Sequence, residues 1–225
     1  MKFLAIDTSS NACSVAVAVG EILVEKHVIA AREHTKILIP MIQEVLGETN
    51  ISLEDLDAIV LGNGPGSFIG IRIGASVAQG LAYGANKLIV PVSSLAAVAL
   101  EAMESDDVER VGVMQNAHMH EVYFGLFEKG SDDLPVRLGQ EKIVAAEYAI
   151  ECEGNFVAAG AGWQRYPKAR IINQSSIIAD SQVLYPRASC ILRLGVRSLA
   201  EGAAILPELL APTYLRSKVA NKSRH

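Results

Sequence analysis

An α/β protein of two lobes, each a mixed sheet flanked by helices, is the fold class this sequence predicts. Three observations carry it. Half of the 225 residues are hydrophobic while only 5% are aromatic, so the core must be filled by Val, Ile, Leu and Ala, as in sheets covered by helices. The chain opens with strand, polar turn, strand, tight turn and strand, and the start of that pattern returns from Arg110 onward. Between the two copies lies an acidic connection, Glu101, Glu104, Asp106, Asp107 and Glu109, which reads as a solvated junction. The first lobe is therefore expected over 1–105 together with about 188–225, and the second over 106–187.

The first copy is the clearer one. Phe3–Ile6 is a short apolar strand that runs into Asp7-Thr8-Ser9-Ser10-Asn11, all turn-forming residues. Cys13–Val19 places Val at every second position, and Gly20-Glu21 turns the chain back into Ile22–Ile29. Ribonuclease-H-like domains, among them the actin-like and sugar-kinase ATPases, open in this way and put an acidic residue of the first turn beside nucleotide phosphates or their metal. Asp7, with Thr8 and Ser9 as hydrogen-bond donors, is the candidate for such a vestigial phosphate loop. The plain alternative, an ordinary turn, is the reading favoured by the turn itself.

Two helices follow that are too apolar for one sheet to hide. In His34–Leu46 the residues Ile37, Leu38, Ile39, Met41, Ile42, Val45 and Leu46 cover most of the circumference, and Pro40 lies inside, where it costs about 3 kcal/mol unless a kink absorbs the clash. A helix sandwiched within the fold and a helix awaiting a partner both fit. Ser52 reads as the cap of a following turn, and Ala58–Leu61 as a buried strand. Then comes Leu61–Ala85, a glycine-rich loop around Pro65 that becomes a helix at Ile71. Its stripes are Arg72, Ser76, Gln79, Tyr83; Gly74, Ala78, Ala82; and Ile73, Val77, Gly80, Gly84. Only one is polar, so this helix too should be covered on two sides. Gly74 and Gly80 each cost about 1 kcal/mol relative to alanine, which close packing must offset. Because two successive helices share the property, a partner is expected.

The glycine loop fits no phosphate motif. A P-loop would close on Lys followed by Ser or Thr, and none is present. The dinucleotide spacing fails because Gly70 comes one residue late after Gly64 and Gly66, and no Asp or Glu lies between Ile71 and Leu100 to hold a ribose. A nucleophile elbow fails because Ser67 follows Gly66 directly. A net charge of −5 argues against nucleic acid coating the whole surface. Phe3–Ile6 is too short before Asp7 for a signal peptide, and no apolar run is long enough to span a membrane. Cys13, Cys152 and Cys190 are odd in number and far apart, as free thiols of a reducing cytoplasm are.

Past the helix, Leu88–Val90 is a strand and Leu95–Met103 a helix. In the second copy Arg110–Gln115 and Glu121–Phe127 are strands around the turn Asn116-Ala117-His118-Met119-His120, so Asn116 stands where Asp7 stood. An amide is a weak metal ligand, and His118 with His120 lacks an evident third ligand, so no metal site is expected. Glu128–Gly139 reads as a polar loop, Tyr148–Cys152 as helical, Phe156–Ala159 as a strand running into the turn Gly160–Trp163, and Ser189–Ala200 as a helix returning to the first lobe. The tail from Thr213 carries Arg216, Lys218, Lys222 and Arg224 without an acid. It is expected to be a disordered end at Asn221–His225, or else a foothold for a phosphate backbone.

Ala5-Ile6-Asp7-Thr8, Arg32-Glu33-His34-Thr35, Gly64-Pro65-Gly66-Ser67-Phe68, Gly70-Ile71-Arg72-Ile73-Gly74 and Tyr214-Leu215-Arg216 resemble the TsaB (YeaZ) family, over both lobes. The resemblance implies a two-lobed ribonuclease-H-like, actin-like ATPase (ASKHA) fold. It also implies a non-catalytic role in the bacterial threonylcarbamoyl modification of the tRNA adenosine next to the anticodon. The transferase chemistry, with a metal held by two histidines, belongs to the relative TsaD, and an ATPase, TsaE, completes the assembly, so no cofactor of the chain's own is implied. Ser94 and Val98 stand where TsaD has its histidines. Within the family's pattern Ile69 replaces a usual threonine, and Asn116-Ala117-His118 a usual Asp-Ala-Arg. The family pairs with TsaD through helices of the first lobes, which puts Ile37, Met41, Val45, Gly74, Ala78 and Ala82 at or near that contact, and a self-pair could use the same surface. tRNA would be met through that complex, in the cytoplasm. The rival from another class is an ATP-dependent phosphotransferase or metallopeptidase of the same fold.

Overall fold

The computed structural model describes residues 1–150 and 154–215. The first sheet is built from β1 (Lys2–Asp7), β2 (Ala12–Val19), β3 (Ile22–Ile29), β4 (Ala58–Gly62) and β5 (Leu88–Val92), in the order β3-β2-β1-β4-β5. β1–β2 and β2–β3 are antiparallel, while β4 and β5 run parallel to β1. The parallel part requires crossovers. These are α1 (His34–Thr49), α2 (Phe68–Ala85) and, leading out of the sheet, α3 (Ser94–Asp106).

The second sheet repeats this plan. Its strands are β6 (Arg110–His118), β7 (Glu121–Lys129), β8 (Pro135–Arg137), β9 (Lys142–Ala145), β10 (Phe156–Ala159) and β11 (Ile177–Asp180). Read from its far edge the order is β8-β7-β6-β10-β11, with β9 also pairing with β7. Antiparallel and parallel neighbours fall as in the first sheet. Two mixed sheets of the same strand order, flanked by helices, are consistent with the actin-like class.

The helices lie in layers. α1 and α2 cover one face of the first sheet, where Leu38, Met41, Ile42, Val45, Ala75, Ala78 and Ala82 join Leu4, Ile6 and Leu61 in one apolar cluster. α3 and α6 (Ala188–Ala200) lie between the sheets, and their side chains pack with Phe3 and Val60 of one sheet and Val113 and Phe127 of the other. α6 is pressed so closely on the first sheet that a Cβ at Gly195 would overlap the Val60 side chain. The outer face of the second sheet carries α4 (Ala161–Arg165) and α5 (Pro167–Ile172), around buried Trp163.

Four local expectations change. Tyr148–Ile150 is not helical; its residues are pinned by Asn173, whose Oδ1 accepts from Ile150 N–H and whose Nδ2 donates to the Tyr148 carbonyl. Residues 151–153, including Cys152, lie outside the described residues. Within the expected polar loop, β7 runs on to Lys129 and the edge strand β8 forms. β9 and β11 are too short and too mixed to show a period, and α4 with α5 stand where a turn is expected. The cysteines described, Cys13 and Cys190, are free and buried.

Candidate functional site

The end of β1 is where a phosphate loop would be, and the chain itself fills it. Asp7, Thr8 and Ser9 are all buried. The Asp7 carboxylate accepts from Ser9 N–H (2.9 Å) and Ser9 Oγ–H (2.8 Å) on one oxygen and from Ser94 Oγ–H (2.6 Å) on the other. Thr8 Oγ1 donates to the Gly70 carbonyl at 2.8 Å, and Ser67 N–H donates to the Ser9 carbonyl at 2.6 Å. The glycines of the loop are the reason it fits. A Cβ at Gly62 would overlap the Asp7 carboxyl, at Gly66 the Ser9 backbone, at Gly70 the Thr8 carbonyl, and at Gly74 the Thr8 hydroxyl. Burial pushes the Asp7 carboxyl up to about 6, against hydrogen bonds from Ser94 and Ser9 that favour its ionised form. The spacing Gly62, Gly66, Gly70, Gly74 is thus a packing code for the turn beneath it, and no atom of Asp7 is left to meet a phosphate.

At the corresponding turn of the second sheet, Asn116 Oδ1 accepts from His118 N–H and from the Tyr166 hydroxyl, both at 3.0 Å. Among the described residues no group of three or more His, Cys, Asp or Glu could hold a metal. Between this turn and the start of α2 lies a cavity of about 150 Å³, lined by Phe68, Ile71, Ala117, Met119, Tyr123 and Tyr214 among others. At its rim the Arg72 guanidinium lies 3.3 Å above the centre of the Phe68 ring and 5.0 Å from that of Tyr214.

The two apolar helices need a correction at the level of faces. Of the expected contact residues, Met41, Val45, Gly74, Ala78 and Ala82 are buried in the chain's own core, and only Ile37 is half-buried. Those stripes face the first sheet, so their side chains are out of reach of another molecule. The uncovered stripe of α2 is the other apolar one. Ile69 is 70% exposed, Ile73 and Val77 are half-buried, a Cβ on Gly80 or Gly84 would meet nothing within 4 Å, and Tyr83 of the neighbouring polar stripe is 79% exposed. On α1, Ile39 and Pro40 are exposed, but the rest of its outer side is polar, with Glu44 and Glu48 paired to Lys26 at 2.8 and 3.0 Å. The uncovered apolar surface therefore belongs mainly to α2.

A strap beside α2 has no signal in the sequence. Residues 203–215 leave α6, bridge Ile205 to Ile89, and pass a short turn at Pro207–Leu209, where Gln79 Nε2 donates to the carbonyls of Pro207 and Leu210. Asn63 Nδ2 then donates to the Ala211 carbonyl, and Thr213 N–H to that of Asn63. Leu206 and Leu209 stay exposed on the strap. These bonds join positions more than a hundred residues apart, which no local pattern records. Arg216, Lys218, Lys222 and Arg224 lie outside the described residues.

Residues 28–222 match the family described as TsaD: tRNA N6-adenosine threonylcarbamoyltransferase. The Escherichia coli (strain K12) protein named tRNA threonylcarbamoyladenosine biosynthesis protein TsaB is 35% identical over 99% of this chain and 97% of its own length. The chain belongs to the TsaB family. The TsaB protein of Haemophilus influenzae is likewise 35% identical, over 99% of this chain and 96% of its own. In structure, YeaZ from Pseudomonas aeruginosa superposes with a TM-score of 0.88 at 32% identity, covering 95% of this chain and 99% of its own. A second Pseudomonas aeruginosa structure, described as similar to peptidase YeaZ, gives the same score and identity over 96% and 99%.

The motifs shared with TsaB sit at the places just described. The G-P-G-S-F…G-I-R-I-G block is the loop that closes over Asp7, and His34 of the R-E-H-T block is buried, its Nε2–H donating to the Ala12 carbonyl at 3.1 Å to anchor α1. Ser94 and Val98, the positions expected to stand against the histidines of TsaD, are both buried: Ser94 is spent on Asp7, and Val98 is in the core between the sheets. Ile69, at the departure from the TsaB pattern in the loop, is the most exposed apolar residue of the first turn of α2. Among the described residues no helix is long and apolar enough to cross a membrane.

Proposed function

We propose that this chain is the non-catalytic subunit that pairs with and activates a TsaD-type transferase in threonylcarbamoylation of the tRNA adenosine next to the anticodon, in the cytoplasm. One observation carries the reading: the outer side of α2 leaves Ile69, Gly80, Tyr83 and Gly84 uncovered, with Ile73 and Val77 half-buried beside them, while the Asp7 carboxylate is enclosed. Glycines at the middle and end of that face let a second helix approach closely. Ile39 and Pro40 of α1 and Leu206 and Leu209 of the strap add exposed apolar surface in the same lobe, and a stable contact would bury about 800 Å² per partner. The phosphotransferase rival needs an accessible cleft carboxylate, and Asp7 is buried with both carboxylate oxygens hydrogen-bonded inside the chain. ATP and metal then belong to the partners TsaD and TsaE, and a self-pair would use the same α2 face when TsaD is absent.

The test is co-elution of the purified chain with the TsaD-type protein of the same organism, followed by the modification reaction with TsaE and tRNA. The reading predicts a stoichiometric pair and no modification when this chain is omitted. Magnesium-dependent ATP binding by the chain alone, lost in Asp7→Ala, would contradict it.

A further inference from the structure

The turn between β6 and β7 is strained and exposed beyond what joining two strands requires. His118, Met119 and His120 all lie in the left-handed region, with φ of 62°, 53° and 58°. Such conformations cost about 1 kcal/mol or more for each non-glycine residue and persist where the surroundings impose them. Here two bonds impose them: His118 N–H donates to the Asn116 side chain, and Ala146 N–H donates to the His120 carbonyl at 2.8 Å. The result is that His120 is held out at the lip of a second pocket, about 530 Å³, whose other wall is the α4–α5 junction with Arg165, Tyr166 and Lys168. The Tyr166 ring is fixed by its hydroxyl on Asn116 and lies 6.3 Å from the His120 ring, tilted by 54°. Arg165 is exposed and has no ion pair among the described residues, and Lys168 is paired at the rim with Glu147 at 3.2 Å.

We infer that this pocket is an RNA-contact site, taking a nucleotide of the tRNA with its base against the His120–Tyr166 rings and its phosphate at Arg165 and Lys168. Flat rings for stacking and cations within one concave pocket match the two halves of a nucleotide. An acidic peptide would satisfy the cations and leave the rings unused. The chain's net charge of −5 makes a local cationic pocket selective for one segment of RNA, not a general coat. The same turn also faces the first lobe, because His118 and Met119 line the small cavity that begins at Phe68 and Tyr214. A partner seated on α2 is therefore next to the turn, and RNA held by that partner would reach the pocket across it. The choice of tRNA as the RNA rests on the function proposed above.

The test is fluorescence anisotropy of labelled tRNA titrated with the full-length chain, alone and with its TsaD-type partner, across a salt series. Wild type is compared with the double variant Arg165→Ala/Lys168→Ala, whose side chains are exposed and outside the core. Loss of one or two phosphate contacts should weaken binding by about three- to tenfold and make the log–log salt slope shallower by about 0.9 for each contact. Co-elution with the partner should be unchanged in the double variant. Unchanged affinity and slope would overturn the site, and so would absence of tRNA binding by both chain and complex. Binding that survives the double variant but disappears when residues 216–225 are removed would assign the RNA to the tail instead. Competition by polyglutamate as effective as by unlabelled tRNA would point to an acidic protein and also overturn it. Failure of the wild-type pair to co-elute counts against the proposed function, while the titration of the chain alone still decides the site.

Discussion

Asp7 shows how a residue type can keep its place while its surroundings remove its use. It occupies the turn where an actin-like ATPase presents a carboxylate, yet every approach to it is taken by Ser9, Ser94 and the Gly62 backbone. Because burial holds its pKa at about 6 against 3.8 for a free carboxyl, the folded chain keeps a proton that the unfolded chain has released. Stability should therefore fall as pH rises from about 4 to 6, by roughly 1 kcal/mol per unit from this group. Burial raises Glu141 and Glu101 in the same direction, so the comparison that isolates Asp7 is with Asp7→Asn. Urea unfolding at a series of pH values should show a smaller slope in the variant, and equal slopes would remove Asp7 as the source. Gly70→Ala tests the packing code directly. Its methyl would overlap the Thr8 carbonyl, backbone that cannot swing aside, and a loss of about 1–3 kcal/mol is expected in the same assay. The thiols of Cys13 and Cys190, both pushed to about 12 chiefly by burial, should react with a thiol reagent only on unfolding.

At the scale of the element, α2 is two helices in one. Its Gly74–Ala78–Ala82 stripe packs on the first sheet, and its Ile73–Val77–Gly80 stripe meets no other element of the fold at Gly80. Excess apolar surface on α1 and α2 is legible in the sequence, because composition around a helix can be read without knowing its neighbours. Which stripe turns inward is not legible: both are apolar, and the choice depends on Thr8 and Leu61 lying against Gly74, contacts across more than ten residues of chain and set by the sheet. The distinction makes paired predictions. Gly80→Arg replaces a poor helix former on open surface, so it should hold or raise stability by up to about 1 kcal/mol while weakening pairing with the TsaD-type partner at least about tenfold. Ala78→Arg buries a charge in the core and should cost about 3 kcal/mol or more before any partner is added. Thermal unfolding and sedimentation of the two variants side by side check both; a stable Ala78→Arg chain that pairs poorly would restore the inward stripe to the contact.

On the scale of the whole molecule, one strand order is used twice and the helices α3 and α6 are shared between the copies. The first copy is readable from its alternating Val run and Gly20 turn, and the return of the pattern at Arg110 is enough to expect duplication. Its edges are less readable, since β8, β9 and β11 are short and take their conformation from β7 and β10. The strap is the largest unread feature, and it matters because it places Leu206 and Leu209 beside α2 and Tyr214 on Arg72. Together α2 and the strap, joined through Gln79, carry exposed apolar residues on neighbouring elements of the first lobe, Ile69 and Tyr83 on the helix and Leu206 and Leu209 on the strap. The most direct measurement of that claim is hydrogen–deuterium exchange of the chain before and after a TsaD-type protein, the proposed partner, is added. Protection confined to peptides from 68–85 and 203–215, with little change in the second sheet, is the expected result. Protection centred on the β1 turn or the second lobe, with α2 left exchanging as in the free chain, would contradict it.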